Sequence, residues 1–256
     1  MAAAVPDLVL ADLLACAEAD VDTLGLILGG SRGAGCADAE SDYDLDWVLT
    51  DAAYDQRKAR GEPMEHGGKP LLDIGYTCPR ELRRVVDEPP GWWTPGYATA
   101  RVLLDKTGVV TRALRAITLM PEDKAASDVP TSFDAYLNAF YRSLKAWRRG
   151  NELGGRLQAA ESVMHLARLL FALERRWTPY HDRLDAQLDT LSEAQNWPPG
   201  YLRETLLAVV RTGSPALQQE LEGRVEALLR ARVHGGVVDA WNGEIERVAA
   251  FRFDGK

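Results

Sequence analysis

The spacing of apolar residues changes near residue 130 of the chain. Before it, short apolar runs such as 24–28 and 98–105 alternate with polar and glycine-rich stretches, which predicts strands, turns and a few helices. After it, apolar residues recur every three or four positions, which predicts packed helices, the first of them capped by Ser132. We expect an α+β fold class, with a mixed sheet and flanking helices in a domain over 1–128 and a helical bundle over 129–256.

The first apolar run ends abruptly at a glycine-rich turn. Gly29, Gly30 and Ser31 follow residue 28, and glycines let a backbone turn sharply and come close to a ligand. The exposed N–H groups of such a turn, with a short helix behind it, form an anion site that Ser31 and Arg32 can reinforce. The turn is therefore a predicted phosphate site.

Three aspartates alternate with apolar residues soon after this turn. In an extended segment Asp42, Asp44 and Asp46 point to one face, and the residues between them point to the other. Carboxylates so close together repel each other unless a cation lies among them, and oxygen ligands beside a phosphate favour magnesium. We predict a divalent metal site on Asp42 and Asp44, preferred for their spacing from Ser31, with Asp46 as a reserve ligand.

Other interpretations of the same residues have less support. Residues 44–48 contain the Asp-x-Asp of phosphatases with an aspartyl nucleophile, but polar residues precede them where that motif needs an apolar strand. A plain hairpin with solvated aspartates stays open, although such a turn does not call for three carboxylates on one face. The turn also lacks the Gly-Lys-Ser/Thr of a Walker loop and the spacing of a dinucleotide fingerprint.

Composition and charge limit the partners. The 256 residues are 46% hydrophobic, enough for one large or two modest domains. Lys and Arg total 30 against 38 for Asp and Glu, and this net charge of -8 disfavours a nucleic-acid partner and would attract a polycationic small substrate. No apolar stretch is long enough to span a membrane, so we expect no membrane partner. Three cysteines without metal-ligand spacing predict reduced thiols in the core and a cytoplasmic location.

The turn and the acidic strand together resemble the signature of a known superfamily. Gly30-Ser31, ten intervening residues and Asp42-Tyr43-Asp44 are similar to the motif of polymerase-β-like nucleotidyltransferases. The third carboxylate of that family lies on a later neighbouring strand, and Asp73 in the run 69–76 takes this place. The small-molecule branch, with the aminoglycoside (kanamycin) nucleotidyltransferases, is the most similar, because segments 140–148, 167–176 and 198–202 resemble its C-terminal helical domain in order.

The resemblance implies an enzyme that transfers a nucleoside monophosphate. AMP from ATP, or the equivalent part of another NTP, would move to a hydroxyl of a small molecule such as an aminoglycoside-type antibiotic, with release of pyrophosphate. It implies two Mg²⁺ ions and a homodimer. The implied site comprises the catalytic and metal-binding Asp42, Asp44 and Asp73 and the nucleotide-binding Gly30, Ser31, Arg32, Ser41 and Lys145.

One position departs from the family pattern and leaves the acceptor open. Tyr141 stands where the similar enzymes carry a glutamate that acts as general base, and a tyrosine with a reference pKa of about 10 is a poor base at neutral pH. Either Asp73 or another carboxylate acts as base, or the acceptor is not kanamycin. A protein-AMPylating enzyme of toxin–antitoxin type and a non-catalytic nucleotide-binding module stay open, while a tRNA-tailing polymerase lacks the expected basic surface.

Overall fold

The computed structural model describes residues 7–68, 72–88, 94–232 and 234–253. The chain divides into two compact units. We call them the sheet unit (Met1–Leu119 with Pro179–Arg183) and the helical unit (Met120–Thr178 with Leu184–Lys256). Each unit is described by itself below.

The sheet unit is a mixed sheet with flanking helices, and this part of the predicted α+β fold class is confirmed. Its sheet has the strand order β3-β4-β2-β1-β5, in which β2 and β4 are parallel and the other neighbours are antiparallel. The described elements are α1 (Leu8–Ala19), β1 (Thr23–Leu28), α2 (Gly30–Ala34), β2 (Tyr43–Leu49), α3 (Asp51–Ala59), β3 (Glu65–Gly68), β4 (Leu72–Thr77), α4 (Pro79–Asp87), α5 (Thr94–Tyr97), β5 (Arg101–Asp105) and α6 (Val109–Thr118).

The strands bury apolar side chains on both faces of the sheet. Leu26 and Leu45 pack on one face with Ala17 of α1, whereas Val48 packs on the other face with α4 and α6. Each fully buried aliphatic side chain contributes about 1.5–3 kcal/mol. Because side chains alternate along β2, Asp44 and Asp46 share the α4 face with Val48.

The helical unit confirms the predicted helical C-terminal part. Its described helices are α7 (Glu122–Arg148), α8 (Glu152–Leu173), α9 (His181–Ala194, whose residues up to Arg183 belong to the sheet unit), α10 (Tyr201–Thr212), α11 (Pro215–Ala231), α12 (Gly235–Asp239) and α13 (Glu244–Ala249). Their apolar stripes meet in a core that includes Phe133, Phe140, Leu170 and Val225, all nearly inaccessible to solvent.

The first long helix begins earlier than the sequence predicts. α7 starts at Glu122, so the prediction that Ser132 caps it is wrong. Acidic residues in its first turn favour the start because they complement the helix dipole. Pro130 lies inside the helix, and the Thr131 hydroxyl donates a hydrogen bond of 2.9 Å to the Ser127 carbonyl beside it. The expected domain end at residue 128 falls within this helix, and the units divide after Leu119.

The three cysteines are free thiols, but only one is part of a core. Cys78 is buried beside Leu49 and Tyr54. Cys16 and Cys36 are exposed, so their predicted place in the core is wrong. Among the described helices, none is both long and apolar enough to cross a membrane.

Candidate active site

A cavity of about 440 Å³ opens in the sheet unit beside β2, β4 and α4. Gly29 and Gly30 of the glycine turn line one part of it. Its other polar lining consists mainly of carboxylates and tyrosines with a single arginine among the lining residues: Asp44, Asp46, Asp73, Glu65, Glu81, Tyr54, Tyr76, Tyr97, Tyr180 and Arg183. The cavity is therefore acidic and rich in aromatic rings.

The strand register brings two of the predicted carboxylates together. β2 and β4 run parallel, and Asp44 is the register partner of Asp73. Asp44 is half-buried, whereas Asp73 is exposed. Asp42 lies in the loop just before β2 and is exposed. Neighbouring parallel strands thus present the Asp44 and Asp73 side chains at one edge of the cavity.

Position 30 requires a glycine because its backbone lies close to the Asp44 side chain. Its φ of +59° lies in the left-handed region, and a Cβ added there would come within 1.6 Å of the Asp44 Oδ2. The backbone N–H of Gly29 also donates a hydrogen bond of 2.8 Å to the Asp44 carbonyl. The turn and the acidic strand therefore form a single packed structure.

The electrostatic surroundings of Asp44 reflect its neighbours. Burial raises the pKa of its carboxyl, and the negative charges of Asp42 and Asp73 raise it further. The positive charge of Arg183 acts in the opposite direction and lowers the pKa. The charges of two other carboxylates and one guanidinium therefore act on Asp44.

Asp46, the predicted reserve ligand, lies deeper on the same strand. Burial raises its pKa to about 6, although the Tyr97 hydroxyl acts in the opposite direction. Gly75 is its register partner on β4, and a Cβ there would lie 3.0 Å from the Asp46 Oδ1. The side chain therefore fits closely into the wall of the cavity while keeping some exposed surface.

Two predicted nucleotide-binding side chains make internal contacts. The Arg32 guanidinium donates hydrogen bonds to the Ser41 carbonyl (2.8 Å) and the Asp42 carbonyl (3.0 Å), and it lies 3.8 Å above the Tyr43 ring. The Ser41 hydroxyl donates a bond of 3.0 Å to the Asp38 carboxylate and accepts one of 2.9 Å from the Asp38 N–H. Arg32 thus fixes the loop that carries Asp42, and the binding of nucleotide by Arg32 and Ser41 stays a prediction.

Ser31 and Lys145 also stay predictions as nucleotide-binding residues. Ser31 is half-buried in α2, and its carbonyl accepts a hydrogen bond of 3.0 Å from the Cys36 N–H. Lys145 belongs to α7 of the helical unit, where its Nζ lies 4.3 Å from the centroid of the Tyr141 ring. The Tyr141 hydroxyl accepts a hydrogen bond from Arg247 in the same unit.

The carboxylates fit a magnesium site that substrate completes. Within the described ranges, no group of three or more His, Cys, Asp or Glu side chains is placed to hold a metal ion. Magnesium usually binds one or two carboxylates and takes its remaining ligands from water and substrate phosphates. Asp44 with Asp42 or Asp73 supplies such a set, and the Asp44 Oδ2 occupies the space that a side chain at position 30 would fill.

Sequence reasoning missed the arginine and most tyrosines of the cavity. Tyr180 and Arg183 reach the sheet unit through the segment Pro179–Arg183, which the sequence places in the helical half. No local pattern marks them, because their position depends on tertiary structure. Tyr97 follows a Pro/Gly-rich stretch, and only the folded structure places it with Asp46 in the lining of the cavity.

Comparisons with known proteins give a family model over part of the chain and structural neighbours. A family model described as a domain of unknown function, DUF4037, matches residues 96–183, a range that begins and ends with residues that line the cavity. A nucleotidyltransferase-like protein from Exiguobacterium sibiricum 255-15 is similar in structure, with a TM-score of 0.40 and 14% sequence identity over 94% of this chain and 78% of that chain. None of the curated proteins matches the sequence.

Proposed function

We propose that this protein is a metal-dependent nucleotidyltransferase that moves a nucleoside monophosphate, AMP from ATP in the first instance, onto a hydroxyl group of a small molecule. The observation that carries the proposal is the register pairing of Asp44 with Asp73 beside the Gly29–Gly30 turn. Two carboxylates next to a glycine turn suit a reaction in which metal ions and phosphates must meet.

The reaction exchanges one P–O bond for another. The acceptor hydroxyl oxygen attacks the α-phosphorus of the nucleotide, and a new O–P bond forms. The bond from the α-phosphorus to the bridging oxygen breaks, and pyrophosphate leaves with the electron pair. Asp73, exposed at the edge of the cavity, takes the proton of the hydroxyl.

The chain's own residues hold the reactants in place. Asp44 together with Asp42 or Asp73 would hold the metal, which would supply electrostatic stabilisation of the triphosphate and of the attacking oxygen. Gly30 and Ser31 would present backbone N–H groups to the phosphates, with Arg32 and Ser41 shaping the adjoining loop. Lys145 would add a positive charge to the phosphates, as the resemblance to kanamycin nucleotidyltransferase-like enzymes implies.

The lining of the cavity suits a hydroxylated acceptor that carries positive charge. Glu65 and Glu81 add acidic groups next to the aspartates, and this concentration of negative charge favours a cationic ligand. An aminoglycoside-type compound has this chemistry. The acidic net charge of the chain favours the same class of acceptor over a nucleic acid.

The test is the release of pyrophosphate from each NTP with magnesium across a panel of hydroxylated compounds. Asp44→Asn serves as the inactive variant, and Asp12→Asn, at an exposed position of α1, is the matched control. We expect acceptor-dependent release by the wild type and the control and none by Asp44→Asn. Equal release by both variants would remove Asp44 from the reaction and contradict the proposal.

A further inference from the structure

Arg183 is the cation of the candidate active site that the aspartates alone do not explain. It lines the cavity together with Gly30, Asp44 and Asp73. It arrives there through Pro179–Arg183, a segment that belongs to the sheet unit although the chain on both sides of it belongs to the helical unit. This short segment therefore interrupts the helical unit in sequence, and its last residue places a guanidinium in the lining of the cavity.

The Arg183 guanidinium is largely shielded from solvent, yet one of its hydrogen-bond donors lacks an acceptor. Its side chain is 15% exposed, and its Nε has no hydrogen-bond partner among the described residues. The nearest carboxylate oxygen in an ion pair, Asp182 Oδ2, lies 3.6 Å from that Nε, and the Asp182 side chain is 69% exposed. Leaving the Nε donor without an acceptor costs free energy, which the acceptor oxygen of a ligand would recover.

The position of Arg183 indicates an anion as that ligand. Its positive charge acts on Asp44, so it stands close to the carboxylates on which the metal would bind. With a metal held by those carboxylates, the guanidinium charge would act on a substrate anion beside the glycine turn. A planar guanidinium can bind two phosphate oxygens at once, whereas an ammonium group acts as a point charge.

We infer that Arg183 binds the β- and γ-phosphates of the nucleotide, the part that leaves as pyrophosphate. This inference rests on the proposed function. It makes Arg183 a substrate-binding residue that contacts the leaving group.

Calorimetric titration separates this role from a structural one. Magnesium with inorganic tripolyphosphate, with ATP and with adenosine are the three probes, because only the first two carry the anionic group. Arg183→Ala and Arg183→Lys are the variants. Arg203→Ala, which removes an exposed ion pair with Asp185 in the helical unit, is the matched control.

Arg183→Ala should weaken the binding of tripolyphosphate and of ATP at least tenfold and leave that of adenosine unchanged. Arg183→Lys should lie between wild type and alanine, because it keeps the charge and loses the planar fork. Arg203→Ala should match the wild type. Wild-type affinity of Arg183→Ala or Arg183→Lys for tripolyphosphate would overturn the inference while leaving the proposed function intact. A wild-type protein that binds neither ATP nor tripolyphosphate would contradict the proposed function itself.

Discussion

Asp44 and Asp73 are register partners on two parallel strands, β2 and β4, with Gly30 packed against the first of them. These residues are far apart in sequence, and the parallel pairing brings their side chains to the same edge of one cavity. The proposed chemistry follows from this pairing, since two adjacent carboxylates beside a glycine turn suit a metal ion bound to a phosphate.

Substitution of Gly30 by alanine should disrupt the site more than it disrupts the fold. The new Cβ would lie 1.6 Å from the Asp44 Oδ2, so the carboxylate must move. Gly35→Ala is the matched control, because Gly35 also has a positive φ, of +75°, but nothing within 4 Å of the added atom. Both variants should lose about 1 kcal/mol of stability from the left-handed conformation. Only Gly30→Ala should also lose about 100-fold in nucleotidyl transfer rate; equal rates would show that the position of Asp44 is not critical.

Substitution of Arg32 by lysine should destabilise the sheet unit. The Arg32 guanidinium binds the Ser41 and Asp42 carbonyls and covers the Tyr43 ring, contacts that an ammonium group cannot reproduce together. We expect a loss of about 1–2 kcal/mol in the free energy of unfolding, measured by urea denaturation. Arg60→Lys should cost less than about 0.5 kcal/mol, since the Arg60 ion pair is exposed. Equal losses in the two variants would contradict a structural role for Arg32.

Replacement of Lys145 by alanine tests the role that the resemblance gives to this residue. If Lys145 binds the nucleotide phosphates, Lys145→Ala should weaken ATP binding about tenfold, the usual effect of removing a charged hydrogen bond. Lys124→Ala, which removes an exposed pair with Asp128 on the same helix, is the control and should bind ATP as the wild type does. Unchanged affinity in Lys145→Ala would limit this lysine to its contact with Tyr141.

The stability of the helical unit should depend on pH through Glu222. This side chain is 1% exposed, and its Oε1 has no hydrogen-bond partner among the described residues. Its pKa is raised from 4.5 to about 7, first by burial and then by the charges of Glu226 and Glu246, while Arg230 acts in the opposite direction. Tyr136 is the other titratable group that faces it, and its own pKa is raised well above 10.

The direction of this pH effect follows from the raised pKa. The unfolded chain releases the proton near pH 4.5 and the folded unit near pH 7, so stability falls as pH rises between these values and then stays constant. Glu222→Gln should lack this decline and exceed the wild type by up to about 3 kcal/mol above pH 7 in urea denaturation. Glu220→Gln, exposed on the same helix, should retain it. A wild-type curve parallel to that of Glu222→Gln would show that Glu222 ionises normally.

The sequence predicts those parts of the fold whose signals are local. The apolar run, the glycine turn and the alternating aspartates lie within 24–49, and β1, α2 and β2 form there. In contrast, β3 forms from Glu65–Gly68, which lacks any apolar alternation and becomes a strand by pairing with β4 at the edge of the sheet. The sequence gives no local sign of this strand, because edge pairing leaves no periodic pattern.

The sequence cannot reveal contacts that depend on the path of the whole chain. Arg183 follows a proline and a tyrosine in the helical half, and only the tertiary structure returns this segment to the sheet unit. The predicted start of α7 at Ser132 is wrong for a related reason. The packing of this long helix tolerates Pro130 in its interior, so the helix extends to the N-terminal side of the proline. The candidate site is therefore predictable in its carboxylates and glycine turn but not in its cation.

Mass spectrometry of the reaction products tests most directly whether the paired Asp44 and Asp73 support nucleotidyl transfer. The wild-type protein is incubated with magnesium, ATP and the acceptor found by the pyrophosphate panel, in parallel with Asp73→Asn and Asp12→Asn. We predict that the acceptor gains one AMP group with the wild type and with Asp12→Asn, that pyrophosphate forms in equal amount, and that Asp73→Asn gives neither product. A phosphorylated acceptor with ADP, or full nucleotidyl transfer by Asp73→Asn, would contradict the account.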